Sequence, residues 1–217
     1  MKSISPIHFI DKLVKKNELG QPFRLSDHQR EVLRLAFDFD SDGRLPHDTI
    51  LYSCIKKSGK TTLNSALTLA WGFTQEVPNE ILVLANDLEQ TLARVFKTME
   101  GIIQHNPELQ REAEVQTRTI YLANGTTVTA ISGDYAGAAG SNHGFSSRDE
   151  LWGYTSESSR LDLIGKTNPA TFRPALQIDS IDARLLIEAL GAFRMIGGIK
   201  EPFGTMSPMR FRFSSQR

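Results

Sequence analysis

The sequence predicts an α/β fold: a mainly parallel sheet flanked by helices, with a β-hairpin inserted. Three observations carry this reading. Two short apolar runs, at 49–54 and 80–85, read as strands buried on both faces. Helical patterns alternate with them in the order helix, strand, helix, strand, helix, which suits layers around a parallel sheet. Two β-rich runs between residues 119 and 131 flank the dipeptide Asn124-Gly125, a hairpin turn signal.

The elements follow in order. In the first helix, over 28–37, Val32, Leu33, Leu35 and Ala36 recur with roughly helical spacing, and Asp27 is placed to cap it. A polar turn over 38–46 holds Gly43 and Pro46. The strand at 49–54 follows, and Gly59 ends the loop after it. The helix over 61–71 carries Leu63, Ala66, Leu67 and Ala70 on an inner face. Residues 80–85 are the strongest strand signal in the chain. Asp87 then caps a long helix from 88 to about 105. After the hairpin comes a small-residue loop over 134–144, with Gly137, Gly140 and Gly144.

Composition bounds the function. A chain of 217 residues makes one ordinary domain, or one domain plus a tail. The 25 basic and 25 acidic residues cancel, so the total charge does not mark a nucleic-acid binder. The single cysteine, Cys54, has no internal disulfide partner, as in a reducing cytosol. No stretch reaches the roughly 20 apolar residues of a membrane helix, and no apolar run follows Lys2 as an export signal would. The expectation is a cytoplasmic protein without membrane contact.

The chemistry sits in two motifs. The first, Cys54-Ile55-Lys56-Lys57-Ser58-Gly59-Lys60-Thr61-Thr62, fits the phosphate-loop pattern G-x-x-x-x-G-K-[ST], except that Cys54 replaces the first glycine. The loop leaves a strand and opens a helix, so its N–H groups and the helix dipole attract anionic oxygens. Lys60 would reach the β- and γ-phosphates, and the Thr61 hydroxyl would ligate Mg²⁺. A small cysteine fits if the loop opens slightly there, and its sulfur reads as structural. The second motif is Asp149-Glu150-Leu151-Trp152-Gly153-Tyr154. Asp149 would bind Mg²⁺ through its water shell, and Glu150 would orient and deprotonate the attacking water. The run before it, Phe145-Ser146-Ser147-Arg148, lacks the usual four apolar residues of such a strand. Together the motifs define the fold class further, as a P-loop NTPase core of the RecA-like, additional-glutamate kind, with ATP and Mg²⁺ as cofactors.

The chain resembles the ATPase domain of bacteriophage terminase large subunits, the motors that package DNA into a prohead. Four matches carry the resemblance. They are the loop Lys56-Lys57-Ser58-Gly59-Lys60-Thr61; Leu25-Ser26-Asp27-His28-Gln29, a Leu-x-x-x-Gln pattern; the glycine-serine run Ala139-Gly140-Ser141-Asn142-His143-Gly144; and Asp149-Glu150-Leu151-Trp152-Gly153-Tyr154. The resemblance implies that Gln29 reads the adenine edge, with Phe23 or Arg24 packing near the base. It places Lys56 where the family often carries a γ-phosphate-sensing arginine; a lysine keeps the charge but not the forked geometry. The phosphate loop implied is Lys57, Ser58, Gly59, Lys60, Thr61 and Thr62. Partners implied are double-stranded DNA, the terminase small subunit and the portal, in a homo-oligomeric ring within the host cytoplasm. A site-completing arginine from a neighbouring subunit has three candidates: Arg94, Arg148 and Arg160.

The motifs run from about residue 20 to 160. The expectation is therefore an ATPase domain over 1–160 and an atypical tail over 161–217. In that tail the coupling strand of the family is not legible, and a helix is expected over 181–193. A truncated terminase, without a nuclease domain, follows as an expectation. Two other readings stay open: a different P-loop DNA-dependent ATPase, and a nucleotide-binding assembly factor without turnover.

Overall fold

The computed structural model describes residues 5–39, 45, 49–54, 57–74, 78–84, 88–131, 143–149, 176–182 and 212–214. Two helices open the chain, α1 (Pro6–Leu13) and α2 (Asp27–Ala36). Then come β1 (Thr49–Cys54), α3 (Lys60–Thr74) and β2 (Glu80–Leu84). The long helix that follows has three parts: α4 (Leu88–Thr91), a π-helical turn (Leu92–Phe96) and α5 (Lys97–His105). A short α6 (Pro107–Arg111) leads to β3 (Ala113–Val115), β4 (Thr119–Leu122) and β5 (Thr127–Ile131). The remaining described strands are β6 (Phe145–Arg148), β7 (Leu176–Asp182) and β8 (Arg212–Ser214).

The eight strands form one sheet in the order β3-β4-β5-β2-β6-β7-β1-β8. The five from β5 to β1 are parallel, and the antiparallel pairings lie at the two ends. Parallel strands need crossovers, and α3 and the long helix supply two of them. The predicted order of helix, strand, helix, strand, helix is therefore observed. So is the hairpin. Its turn places Gly125 in the left-handed region at φ 84°, and the Gly125 N–H donates to the Leu122 carbonyl at 2.8 Å. This is a tight turn closed by a bulge rather than a two-residue loop.

Several expectations are corrected. The cap of α2 is Ser26, not Asp27. The Ser26 Oγ accepts from the Gln29 N–H at 3.2 Å, and Gln29 Oε1 accepts from the Ser26 N–H at 2.9 Å, a reciprocal capping box. Asp27 occupies the first turn instead, where its charge still suits the helix dipole. The expected cap Asp87 and most of the 38–46 turn lie outside the described residues. Helix α3 buries polar residues along with its apolar ones. Asn64, Ser65 and Thr68 are as buried as Leu63, Ala66, Leu67 and Ala70, because α1, the long helix and the sheet all pack on it. Two of these polar groups find backbone partners. Thr68 Oγ1 donates to the Asn64 carbonyl at 2.8 Å. Ser65 Oγ donates to the Val95 carbonyl at 3.3 Å, within the π-helical turn, whose i+5 pattern alters the regular ladder.

The largest correction concerns the residues after 160. A strand does exist there: β7 pairs in parallel with β1 on one side and β6 on the other. Ile181 and Asp182, expected to start a helix, end this strand, while 183–193 lie outside the described residues. The run 176–182, Leu-Gln-Ile-Asp-Ser-Ile-Asp, intersperses polar residues among apolar ones rather than forming a continuous apolar run, although β7 is interior to the sheet.

The helical layer carries two checkable supports. Asn106, buried, acts as a peptide mimic for the segment after α1. Its Oδ1 accepts from the Lys15 and Lys16 N–H groups at 2.8 and 3.0 Å, and its Nδ2 donates to the carbonyls of Lys16 and Ile102 at 2.9 and 2.7 Å. Asn106→Ala orphans these groups together and should lower stability by about 2–4 kcal/mol in urea denaturation. Arg30 grips Asp11 through two bonds of 2.6 Å, tying α2 to α1. The guanidinium's hydrogen bond holds the Asp11 carboxyl below its ordinary value. A lowered folded value means the contribution is present above the unfolded pKa, about 3.9, and is lost as pH falls through the folded value. The pair is partly exposed, so Asp11→Asn should cost no more than about 1 kcal/mol at neutral pH. In thermal melts the gap from wild type should close below about pH 4.

Candidate functional site

All five parallel strands end on the same edge of the sheet, where ligands of open α/β folds bind. Strand β1 delivers the phosphate loop to that edge, and β6 delivers Asp149. Between them lies β7, so the loop and the acid come from strands separated by one neighbour. In register, Cys54 stands opposite Asp182, and Arg148 opposite Asp179. The carboxyl end of β7 therefore lies between the two motifs.

The loop itself is curled. Lys57 adopts φ 68° and Gly59 φ 82°, with Ser58 between them. A left-handed lysine is rare and costs about 1–2 kcal/mol; such strain gathers at ligand-binding turns. Alternating left- and right-handed residues make an anion-binding concavity from successive N–H groups. At Gly59 the conformation itself, rather than any crowding, calls for glycine. The Gly59 carbonyl then accepts the first bond of α3, from the Leu63 N–H at 2.9 Å.

Lys60 opens α3 and is buried. Its Nζ donates to the Cys54 carbonyl at 3.1 Å, so the ammonium lies folded back across the loop. Thr61 Oγ1 donates to Asp149 Oδ2 at 3.1 Å. This one contact joins two residues 88 positions apart and brings the two motifs into one site. Asp149 is 1% exposed, and its N–H donates to the Leu84 carbonyl at 2.9 Å, fixing it from β2. Two hard oxygens at this separation suit Mg²⁺, which takes one or two protein oxygens together with phosphates and water. Among the described residues no cluster of three or more His, Cys, Asp or Glu is present.

The polar strand before Asp149 also finds its explanation. Every residue of β6 is buried, with Phe145 packed on Trp71 at a ring separation of 5.7 Å. Ser147 Oγ donates to Asn64 Oδ1 of α3 at 3.0 Å, so a serine replaces an apolar residue by matching the helix across from it. Arg148 is fully buried in this central strand. That position rules it out as an arginine offered to a neighbouring subunit. Arg94 is exposed on the π-helical turn, and Arg160 lies outside the described residues.

The remaining candidates divide. Thr62 Oγ1 donates to both carboxylate oxygens of Glu18, at 3.2 and 3.1 Å, so its hydroxyl serves the contact with the segment after α1. Only its backbone remains for a nucleotide. Lys57 is exposed and Ser58 half-buried. Lys56 and Glu150 lie outside the described residues. Gln29 is half-buried and held by the Ser26 capping box. Burial pushes the Tyr52 phenol well above its usual value; the Cys54 thiol adds to this, and the Gln29 hydrogen bond opposes it. Phe23 and Arg24 line a depression of about 460 Å³ with Pro22, Leu25 and Arg30, on the approach to α2.

Solved structures share this fold. The crystal structure of the HK97 bacteriophage large terminase superimposes with a TM-score of 0.68 at 20% identity, covering 89% of this chain and 41% of that one. The fold is that of phage large terminases. A large terminase from a thermophilic bacteriophage matches with a TM-score of 0.55 at 16% identity, over 74% of this chain and 39% of that one. The same terminase solved with ADP matches at 0.53 and 14% identity, over 73% and 39%. By sequence, the chain matches no protein-family model and no curated protein. The chain spans about two fifths of the length of these terminases. A match over 89% of the chain extends past Arg160, where the motifs end, and so agrees with the presence of β7. Among the described residues no helix is long and apolar enough to cross a membrane.

Proposed function

We propose that this chain binds and hydrolyses ATP as the motor part of a phage DNA-packaging terminase. The observation that carries the reading is the Thr61–Asp149 hydrogen bond. It closes a phosphate loop onto an acidic strand end, with one strand between them, at the ligand-binding edge of a terminase-like sheet. The likeness to large terminases, one of them solved with ADP, supports it.

In this reading the loop N–H groups of 57–61 cradle the phosphates, and Lys60 swings from the Cys54 carbonyl to the γ-phosphate oxygens. Thr61 and Asp149 hold Mg²⁺, which when bound neutralises phosphate charge. Glu150, the next residue after Asp149, accepts a proton from the attacking water. The new bond joins the water oxygen to the γ-phosphorus as the bond to the β,γ-bridging oxygen breaks, releasing ADP and phosphate. Lys56 adds charge beside the γ-phosphate. Gln29 has four hydrogen-bonding positions on its amide. Its bond from the Ser26 N–H uses one acceptor, leaving an acceptor and its N–H donors for the N6 and N7 edge of adenine. The strand β7 takes the place of the family's coupling strand, which extends the ATPase domain beyond residue 160. Double-stranded DNA, the small subunit, the portal and a homo-oligomeric ring are the partners proposed with this role.

The test is ATP turnover by wild type and Glu150→Gln, with and without double-stranded DNA. The expected result is turnover in wild type that falls at least about a hundredfold in Glu150→Gln while ATP binding persists. Turnover unaffected by Glu150→Gln would remove the catalytic assignment. Binding without turnover in wild type would favour a non-catalytic assembly factor.

A further inference from the structure

Thr61 and Thr62 are consecutive in the first turn of α3, and each gives its hydroxyl proton to a carboxylate. The two carboxylates come from different parts of the fold. Asp149, at the end of β6, takes the Thr61 hydroxyl. Glu18 takes the Thr62 hydroxyl, whose single proton is shared between both carboxylate oxygens at 3.2 and 3.1 Å. Glu18 belongs to the turn after α1, and that turn is firmly built. Asn17 Oδ1 accepts from the Leu19 and Gln21 N–H groups at 3.0 and 2.9 Å, and Gly20 turns the chain at φ 74°. The backbone of Glu18 lies directly on α5, because Gly101 there has no side chain. A Cβ at 101 would stand 2.7 Å from the Glu18 carbonyl oxygen and 3.0 Å from its Cα. The Glu18 side chain thus reaches from a base on α5 to the start of α3.

We propose that Glu18 is a positioning residue for the metal end of the site: by holding Thr62 it fixes the first turn of α3, and with it the hydroxyl that Thr61 offers to Mg²⁺. This inference rests on the nucleotide-site reading above and adds a residue to it. The first turn of a helix has N–H groups without intrahelical partners, so contacts from outside the helix do much to hold it. Successive residues point about 100° apart around the axis, so holds at 61 and 62 together oppose a rotation that either alone would permit. Threonine is branched at Cβ, so fixing its hydroxyl also restricts the backbone that carries it.

The experiment is calorimetric titration of the whole chain with the non-hydrolysable β,γ-imido analogue of ATP, in Mg²⁺ and in EDTA. The quantity read is the factor by which Mg²⁺ tightens binding. Circular dichroism and urea midpoints are taken for every variant. Glu18→Ala and Thr62→Val should each cut that factor at least about fivefold, while affinity in EDTA stays within about twofold of wild type. The double variant should lose no more than either alone, because both remove one hydrogen bond. Glu18→Gln keeps an acceptor oxygen and should hold the factor within about twofold of wild type. Gly101→Ala, whose methyl displaces Glu18, should cut the factor in wild type and change nothing further in the Thr62→Val background. A residue that only supports the fold would weaken binding in Mg²⁺ and EDTA alike, or lower the urea midpoint alone, and either result overturns the proposal. So does Glu18→Gln behaving as Glu18→Ala does. If Glu18→Ala does not fold, Thr62→Val and Glu18→Gln decide by the same criteria. Wild type that binds the analogue but gains nothing from Mg²⁺ overturns the proposal while leaving nucleotide binding intact. A folded wild type that binds in neither medium overturns the nucleotide reading itself, and the proposal with it.

Discussion

Lys60→Ala is expected to lower ATP turnover by at least about a hundredfold, the loss typical of removing one preorganised charge from a phosphoryl-transfer site. The argument is geometric. Lys60 is buried at the start of α3, and its ammonium bonds the Cys54 carbonyl across the loop. It is held within the curve that would receive the phosphates, so little reorganisation separates it from the γ-phosphate. Its removal deletes that charge without unfolding the loop, because the left-handed turns at Lys57 and Gly59 and the first α3 bond come from the backbone. Steady-state turnover with a circular-dichroism control checks this. Lys60→Arg should recover little, since the broader guanidinium does not fit where an ammonium lies folded against a carbonyl.

Asp149→Asn carries the second large effect. The aspartate is buried at the end of β6 and accepts the Thr61 hydroxyl at 3.1 Å. An asparagine keeps the shape and can still accept that hydrogen bond, so the fold and the contact survive. It loses the charge that would hold Mg²⁺ beside the phosphates. Turnover should fall by roughly a hundredfold or more. The strengthening of ATP binding by Mg²⁺ should fall with it, while binding in the presence of EDTA should hardly change. A variant that still gains affinity from Mg²⁺ as wild type does would place the metal on other residues.

Much of this site is legible in the sequence alone. The continuous apolar run of β2 suits a buried parallel strand, and Gly59-Lys60-Thr61 followed by a helical pattern reads as a phosphate loop. The Asn124-Gly125 hairpin is equally plain. What the sequence hides has specific causes. Strand β7 is hidden because its interspersed polar residues break up the apolar run expected of an interior strand. Its place in the sheet is set by pairing to β1 and β6, which a linear reading does not contain. The run ending at Arg148 is too polar to read as an interior strand because Asn64, which partners Ser147, lies 83 residues away. The Ser26 capping box is written in the sequence, since serine followed three residues later by glutamine is its signature, but the adjacent Asp27 is an equally good cap by residue type. Helix α1 carries Pro6 at its start and buries Phe9 and Ile10, signals that are present but short.

The central claim is that loop and acid form one Mg²⁺·ATP site. Its most direct test is calorimetric titration of the intact chain with ATP, with Mg²⁺ and with EDTA, alongside Asp149→Asn and Lys60→Ala. The account predicts saturable binding of one ATP per chain, tightened by Mg²⁺ in wild type, not tightened in Asp149→Asn, and lost or strongly weakened in Lys60→Ala. Folded wild-type protein that shows no saturable ATP binding, or binds equally well without Lys60, would contradict it.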